Sequence, residues 1–272
     1  MVTLAVITAA LVGSRWAIRS EGLPAARVRL ALALIAAVTL AGARLHFVLA
    51  NWSQFQPEPW RALKLSSGAL HAPGAIAAAA LGSAFILPLL RLPIGRFVDA
   101  FAPAVGLGIA VARLGCFLHG CCFGGLCPYP WGVRLPLGSY VFDMQQQAGL
   151  LPPGAAASLP VHALPLYFAA AGLWMTAVLL WARRYKRYDG ELGLLLLVLY
   201  SATSALLEPL RSDDPTRVYL GPLPQLLWIS AGMTVLSLLL LAVAEYRHRG
   251  LPRAPAPGRR ASSLSASRKQ PG

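Results

Sequence analysis

The chain has 272 residues, of which 57% are hydrophobic and only 12% are charged, and its mean hydropathy is +0.59. Soluble domains carry about 25% charged residues, so this composition excludes a soluble globular domain, a disordered protein and a small disulfide-stabilised secreted protein. The apolar runs are long and continuous, which argues against the alternating strands of a membrane β-barrel. The sequence therefore predicts an all-α, polytopic membrane protein, because about 20 consecutive apolar residues cross the hydrocarbon core as a helix.

Seven apolar segments predict a bundle of seven transmembrane helices. No charge precedes the first apolar run, so we expect an uncleaved helix there instead of a signal peptide. Residues 119–161 form the only long segment between predicted helices and are expected to fold as a small lid or an interfacial helix. The predicted spans cover residues 1–18, 30–50, 69–90, 99–118, 162–182, 191–210 and 222–244.

The domain organisation follows from the same pattern. We expect one integral membrane domain over residues 1–248 and a basic cytoplasmic tail over residues 249–272. The end of the chain is rich in Pro, Ser and Arg and has no acidic residue, so it cannot bury a core and is expected to be disordered.

The distribution of Lys and Arg predicts the orientation. Of the 24 basic residues, 17 lie on one side of the predicted spans and five on the other, while Arg44 and Arg113 lie inside spans. The positive-inside rule then predicts an N-terminus outside, a C-terminus in the cytoplasm and an outer location for residues 119–161. We interpret the net charge of +14 as a topology signal that also attracts membrane lipid headgroups, and expect no nucleic-acid partner.

Ionisable residues at membrane depth are costly, so each one is a functional candidate. Arg113 lies well inside the fourth span, and His71 opens the third. Glu208 shares a helix face with Tyr200, and Arg211 follows one turn later. Two interpretations remain open: a structural polar network, or a polar cavity reached from the outer leaflet. The candidates in spans or at their ends are Arg44, His46, His71, Asp99, Arg113, His119, His162 and Glu208.

All four cysteines lie within one stretch, at positions 116, 121, 122 and 127. Their spacing does not match the paired C-x2-4-C units of zinc sites, so no metal is predicted. An oxidising outer face favours a disulfide from Cys127 to Cys121 or Cys122. The alternative is that Cys116 is a small buried apolar residue and the others are free thiols.

Residues 113–124 read Arg-Leu-Gly-Cys-Phe-Leu-His-Gly-Cys-Cys-Phe-Gly. This segment resembles the signature R-I-G-N-F-x-N-G-E-x-Y-G of the prolipoprotein diacylglyceryl transferase family, and five further segments resemble other motifs of that family in chain order. The resemblance covers about residues 3–244 and implies seven spans with the N-terminus outside. The other segments are Gly42–Val48 (G-A-R-x-x-Y-V), Gly68–Gly74 (G-G-L-x-x-H-G-G), Asp99–Pro103 (D-x-x-A-P), His162–Tyr167 (H-P-x-Q-L-Y-E), and Tyr200, Ser204, Glu208 and Arg211 (Y-x3-R-x3-E-x2-R).

The chain also departs from the family pattern. Cys116 stands where the family usually has Asn, Cys121 where it usually has Glu, and Ser204 where it has Arg. Phe168 replaces the Glu that follows Tyr167. The residues that match the motifs are His71, Arg113, Gly124, Tyr200 and Glu208.

The resemblance implies an enzyme that transfers the diacylglyceryl group of phosphatidylglycerol to the lipobox cysteine of prolipoproteins, the first step of bacterial lipoprotein maturation. The expected site faces the outer leaflet of the inner membrane. We assign phosphate binding to Arg113 and thiol deprotonation to His71, since guanidinium suits phosphate and imidazole titrates near neutral pH. The implied catalytic residues are His71, Arg113, Tyr200 and Glu208, and the implied substrate-binding residues are Arg113, Cys116, Cys121, Gly124, Tyr167, Arg211 and Arg44.

The expected partners are phosphatidylglycerol, prolipoprotein signal peptides and membrane lipids. Phosphatidylglycerol is a co-substrate, and neither a metal nor an organic cofactor is expected. Two alternatives remain: a paralogue acting on another phospholipid or acceptor, and a non-enzymatic membrane protein that uses the thiols of Cys116–Cys127 for metal or thiol chemistry.

Overall fold

The computed structural model describes residues 2–56, 58–63, 72–211, 219–220 and 222–248. Within this part of the chain, residues 2–13 and 98–248 form one compact unit and residues 14–97 form a second one. His71 and the tail 249–272, for which the sequence predicts a catalytic base and disorder, lie outside the described residues.

The second unit consists mainly of two long helices. It contains the last part of helix α1 (Val2–Arg19). The elements that follow are α2 (Ala25–Ala50), the short helix α3 (Trp52–Phe55), a 3-10 turn (Pro59–Leu63) and α4 (Ala72–Leu89). The helices α2 and α4 approach closely at Gly42 and Gly74. A Cβ atom on Gly42 would lie 2.2 Å from the Cβ of Ala78, and one on Gly74 would lie 2.3 Å from the Cβ of His46. These small residues permit the close helix contact.

The other unit contains the remaining helices. They are α5 (Ile94–His119), α6 (Tyr140–Gln147), α7 (Leu164–Ala182), α8 (Glu191–Leu207) and α9 (Gln225–His248). Helices α5 and α7 cross at Gly106 and Gly172, where either Cβ would lie within 3.1 Å of the other glycine's carbonyl oxygen. The hydroxyl of Thr176 donates a hydrogen bond of 3.2 Å to the carbonyl oxygen of Pro103 across the same contact.

A buried carboxylate joins α5 to the start of α8. Asp99 is fully buried and accepts hydrogen bonds from the backbone N–H groups of Gly190 (2.7 Å) and Gly193 (3.1 Å). Its other partner is the ammonium group of Lys186, at 2.8 Å. The first N–H groups of a helix lack partners within the helix and carry partial positive charge, so an anion stabilises them. Asp99 therefore fixes the position of α8 against α5.

The segment between α5 and α7 has its own small core. Ser139 begins α6 by accepting a hydrogen bond from the N–H of Phe142, and α6 is the helix expected within residues 119–161. Apolar side chains from this segment surround Phe123, which is fully buried; the cluster comprises Phe123, Leu135, Val141, Val161 and Ala163. The segment between α5 and α7 is therefore held in place by its own packed side chains.

Each of the seven predicted spans coincides with a helix. Five helices in the described residues are long and apolar enough to cross a membrane, whereas the apolar part of α4, Pro73–Leu89, is shorter. The seven-span count and the orientation remain predictions. The five are α2, α5, α7 with the turn that follows it to Tyr185, α8 to Leu210, and α9.

The described part of the chain is mostly helical, as predicted, and contains little strand. A two-residue hairpin pairs β1 (Tyr219–Leu220) with β2 (Leu223–Pro224), and isolated antiparallel bridges connect the loops between helices. These segments contain Pro and Gly and cannot continue as helices, so their backbone groups pair across loops instead.

Candidate active site

The last turns of α5 carry the strongest sequence motif and end in a Schellman motif. Gly120 has a φ of 73°, and its N–H donates to the carbonyl oxygen of Phe117 at 3.1 Å. The N–H of Cys121 donates to the carbonyl oxygen of Cys116, also at 3.1 Å. This left-handed position favours glycine. The turn brings Cys121 back over the end of α5, so that its Sγ lies 3.6 Å from the carbonyl oxygen of Cys116.

Arg113 lies one turn before Cys116 on α5 and contacts α7. Its guanidinium carbon is 4.5 Å from the centre of the Phe168 ring, and Phe168 is buried. A cation over an aromatic face is stabilised by the ring quadrupole, and the N–H groups in the guanidinium plane stay available for an anion. Among the residues that the structure describes, no carboxylate forms an ion pair with Arg113. The arrangement can therefore bind a phosphate group.

Three loops meet beside this helix end. The N–H of Gly124 donates to His162 (2.9 Å), the N–H of His162 donates to Gly125 (2.9 Å), and the N–H of Gly125 donates to Leu210 (2.9 Å), all to backbone carbonyl oxygens. Gly124 thereby forms an antiparallel bridge with Arg211. A Cβ on Gly124 would clash with the carbonyl oxygen of Leu210, so only glycine fits. The structure thus brings together two predicted site residues from distant parts of the sequence.

Glu208 and Arg211 lie at the turn that ends α8. Glu208 begins a 3-10 turn (Glu208–Leu210) and is only 7% exposed, and its carbonyl oxygen accepts a hydrogen bond of 3.1 Å from the N–H of Arg211. Burial of a carboxyl group requires partners, so Glu208 fits the role of a positioning group within the site.

Tyr167 lies in an aromatic cluster at the start of α7. Its hydroxyl is 3.3 Å from Nδ1 of His162, and the rings of Tyr129 and Trp131 stack with centroids 4.8 Å apart. The centroid of Tyr129 lies 6.4 Å from that of His162. His162 was a candidate as an ionisable residue at a span end but received no catalytic or binding role, and Phe168, which directly follows Tyr167, was not predicted as a site residue.

All four cysteines are free, so of the two alternatives the structure shows free thiols and no disulfide to Cys127. The Sγ atoms of Cys116, Cys121 and Cys122 lie within 4.8 Å of one another. Cys127 is buried and does not belong to this group. Its N–H donates to the carbonyl oxygen of Pro160 at 2.8 Å, and its Sγ lies 4.0 Å from the carbonyl oxygen of Tyr129. The Schellman turn directs the vicinal pair, Cys121 and Cys122, towards Cys116, which explains the absence of a disulfide to Cys127.

The thiols of the vicinal pair are poor nucleophiles at neutral pH. Burial, together with the neighbouring thiols of Cys122 and Cys116, raises the pKa of Cys121 to about 12. Burial also raises the pKa of Cys122, while the positive charge of Arg113 favours the thiolate. Because the thiolate is the reactive form, these cysteines are better suited to line a site than to attack a substrate.

A cleft of about 230 Å³ opens beside Gly124, between the loop after α5 and helix α6. Its lining is mostly apolar, with the amide of Gln145 as a polar group, and it can receive an apolar segment of a substrate. The lining residues are Phe123, Gly124, Gly125, Leu126, Val141, Met144, Gln145, Ala148, Leu150 and Val161.

Two further predicted site residues are Tyr200 and Arg44. Tyr200 is 40% exposed on α8, two turns before the turn that contains Glu208. Arg44 belongs to the second unit, where it is buried, donates a hydrogen bond of 3.0 Å to the carbonyl oxygen of Arg61 and lies 5.5 Å from the ring centres of Phe47 and Phe55.

The apolar helices and the polar site at their ends define the class of this protein: a helical integral membrane protein. The family model of prolipoprotein diacylglyceryl transferases matches residues 1–243, and the chain belongs to this family. Similar relatives carry the name phosphatidylglycerol–prolipoprotein diacylglyceryl transferase. The protein of Symbiobacterium thermophilum is 30% identical over 233 residues, which are 85% of this chain and 81% of the relative. That of Trichormus variabilis is 29% identical over 216 residues, 77% of this chain and 72% of the relative.

Proposed function

We propose that this protein transfers the diacylglyceryl group of phosphatidylglycerol to the lipobox cysteine thiol of prolipoproteins. The observation that carries the proposal is the Arg113 guanidinium, held over Phe168 at the end of α5, within a family whose named members bear this activity. Phosphatidylglycerol is the co-substrate, and the prolipoprotein signal peptide presents the acceptor thiol.

Arg113 binds the phosphate of the lipid and stabilises the charge that develops as this group leaves. A guanidinium binds phosphate through two parallel N–H contacts, and the interaction is strong in a site of low dielectric constant. The buried Glu208 and the backbone bridge between Gly124 and Arg211 support this role, because they hold the loops beside α5 in one arrangement. Arg211 is the second cation that we assign to the headgroup, in place of the arginine that the family has at Ser204.

The reaction itself is a displacement at carbon. The acceptor thiol loses its proton to a base, for which we propose His71, and the thiolate sulfur attacks the lipid carbon that carries the phosphate. A carbon–sulfur bond forms as the carbon–oxygen bond breaks, and glycerol-1-phosphate leaves with the bonding electrons. The products are a thioether and glycerol-1-phosphate, and no redox step is needed.

The membrane arrangement completes the proposal. Residues 1–248 form a multi-pass domain of the bacterial inner membrane with seven spans, the N-terminus outside and the C-terminus in the cytoplasm. The site then faces the outer leaflet, where the exported prolipoprotein and the phospholipid meet. The excess of Lys and Arg on one side of the spans supports this orientation.

The test is transfer by the purified protein in vesicles. A lipobox peptide and phosphatidylglycerol are expected to give the thioether peptide by mass spectrometry and an equal amount of glycerol-1-phosphate, whereas phosphatidylethanolamine gives neither. Arg113→Ala should abolish the product, and Arg113→Lys should be poor because a point charge does not reproduce two parallel contacts. Arg134→Ala, at an exposed arginine of the same unit, is the matched control. Normal product from Arg113→Ala would contradict the assignment.

A further inference from the structure

Three thiols converge where α5 ends, and no chemical step of the proposed transfer reaction takes place on them. The Sγ atoms of Cys116, Cys121 and Cys122 lie within 4.8 Å of one another, and those of Cys121 and Cys122 are 3.7 Å apart. In a tetrahedral zinc site with bonds of about 2.3 Å, two sulfur ligands are about 3.8 Å apart. The thiols therefore need movements of only about 1 Å to surround one ion.

The donor set is chemically uniform. All three ligand atoms are sulfur, and each of the three side chains is partly buried. Thiolates are soft ligands that select zinc or copper(I) over magnesium and calcium. The backbone of Cys122 adopts a φ of 64°, which is uncommon for a residue with a side chain and turns its thiol towards the other two.

The charge balance favours a divalent ion. Three thiolates around a divalent cation leave one net negative charge, and Arg113 lies one turn before Cys116 on α5. A monovalent ion would leave two negative charges beside the one arginine. The arginine thus offsets the charge of the divalent complex.

We propose that Cys116, Cys121 and Cys122 form a binding site for a thiophilic divalent cation, with Zn²⁺ as the fitting ion. Binding forms three metal–sulfur bonds and releases one proton from each thiol to the solvent, without oxidation or reduction. Three protein ligands leave a fourth position for water. The site goes beyond the transfer reaction, and it replaces the expectation, drawn from cysteine spacing alone, that no metal binds.

Metal binding can be measured without any phospholipid or peptide, so its outcome is independent of the transfer reaction. The full chain is purified in detergent, its affinity tag is removed, and it is washed with chelator and reduced with a phosphine. Titration with Zn²⁺ should give one ion per chain by native mass spectrometry, with release of protons. Cd²⁺ should produce the ultraviolet charge-transfer band of metal–thiolate bonds, and Zn²⁺ should protect the three thiols from maleimide.

Variants assign the ligands. Cys116→Ser, Cys121→Ser and Cys122→Ser should each weaken Zn²⁺ binding at least about tenfold and reduce the Cd²⁺ band. Cys127→Ser is the matched control and should leave both unchanged, since Cys127 is buried away from the cluster. If a variant does not fold, as judged by gel filtration, the thiol-protection pattern of the unaltered protein carries the test.

Three results would overturn the proposal. The first is that the reduced protein binds no ion at micromolar Zn²⁺. The second is that a protein with all three cysteine-to-serine substitutions still binds Zn²⁺. The third is a disulfide among Cys116, Cys121 and Cys122 that re-forms in air in the presence of Zn²⁺, because it would identify the cluster as a redox pair.

Discussion

The guanidinium of Arg113 lies over the ring of Phe168, 4.5 Å from its centre. The two residues come from different helices, α5 and α7, whose close approach at Gly106 and Gly172 brings their faces together. In the family pattern a glutamate usually stands at the position of Phe168. This chain therefore orients its arginine by an aromatic face, which leaves the full positive charge for an anionic ligand.

The aromatic contact predicts a specific effect on lipid binding. Phe168→Leu removes the ring and should raise KM for phosphatidylglycerol about two- to thirtyfold with a smaller effect on kcat, since a cation–π contact contributes about 0.5–1 kcal/mol when exposed and about 2 kcal/mol when desolvated. Phe168→Tyr retains the ring face and should restore most of the affinity. Steady-state kinetics with vesicles of varied phosphatidylglycerol content measure both. An unchanged KM in Phe168→Leu would refute the proposed orientation of Arg113.

Gly124→Ala should abolish transfer and lower thermal stability. The new Cβ would meet the carbonyl oxygen of Leu210, and neither backbone can move without breaking the bridge between Gly124 and Arg211. Unfolding midpoints in detergent and product formation are the two measurements. Gly232→Ala is the matched control, because a Cβ there meets nothing within 4 Å. A fully active Gly124→Ala protein would disprove that transfer requires the close contact between Gly124 and the carbonyl oxygen of Leu210.

The buried pair of Asp99 and Lys186 predicts a nonadditive effect on stability. Asp99→Asn leaves Lys186 without its closest anion and should destabilise the protein by about 3–5 kcal/mol. The carboxylate of Asp189, 3.4 Å from the Lys186 ammonium group, reduces this loss of stability. The double variant with Lys186→Met should recover a large part of this loss. Asp143→Asn, at an exposed position of α6, is the control. Additive losses in the double variant would show that the pair is not coupled.

Tyr188 predicts how stability depends on alkaline pH. Burial raises its pKa to about 12, and the carboxylate of Glu191 acts in the same direction. The unfolded chain loses this proton near pH 10, so stability is fully retained below that value and falls as the pH rises towards 12. Tyr188→Phe should remove this component. At neutral pH it should be neutral or slightly stabilising, because the buried hydroxyl has no hydrogen-bond partner among the described residues.

Phenolate absorbance and unfolding measured from pH 9 to 12 test the Tyr188 prediction. Tyr246→Phe, which replaces a tyrosine that is 74% exposed on α9, is the matched control and should leave the alkaline loss of stability in place. The same alkaline profile in Tyr188→Phe as in the unaltered protein would contradict the assignment.

The charge distribution predicts the orientation in the membrane. A fluorescent protein fused to the C-terminus should be bright, and alkaline phosphatase fused at the same place should be inactive, because the first needs the cytoplasm and the second an oxidising exterior. Phosphatase fused after α5, within residues 119–161, should be active. The reverse pattern would overturn the N-out, C-in topology.

The sequence alone predicted the positions of the long helices, because a run of apolar residues favours a helix in a membrane, and each predicted span falls on a helix, while the seven-span count stays a prediction. It also marked Arg113 as a candidate site residue, since a guanidinium is costly at membrane depth. Family membership was predicted from six short motifs and confirmed by the family model, which matches residues 1–243.

Only the tertiary structure decided which residues meet. The spacing of the cysteines matched no metal pattern and left a disulfide to Cys127 as an open alternative, because spacing does not reveal that Gly120 reverses the chain and returns Cys121 to Cys116. The bridge between Gly124 and Arg211 likewise depends on backbone hydrogen bonds among three loops, which carry no periodic pattern in the sequence. Long-range contacts of this kind depend on how the helices pack, and packing is a property of complementary surfaces that a single segment does not encode.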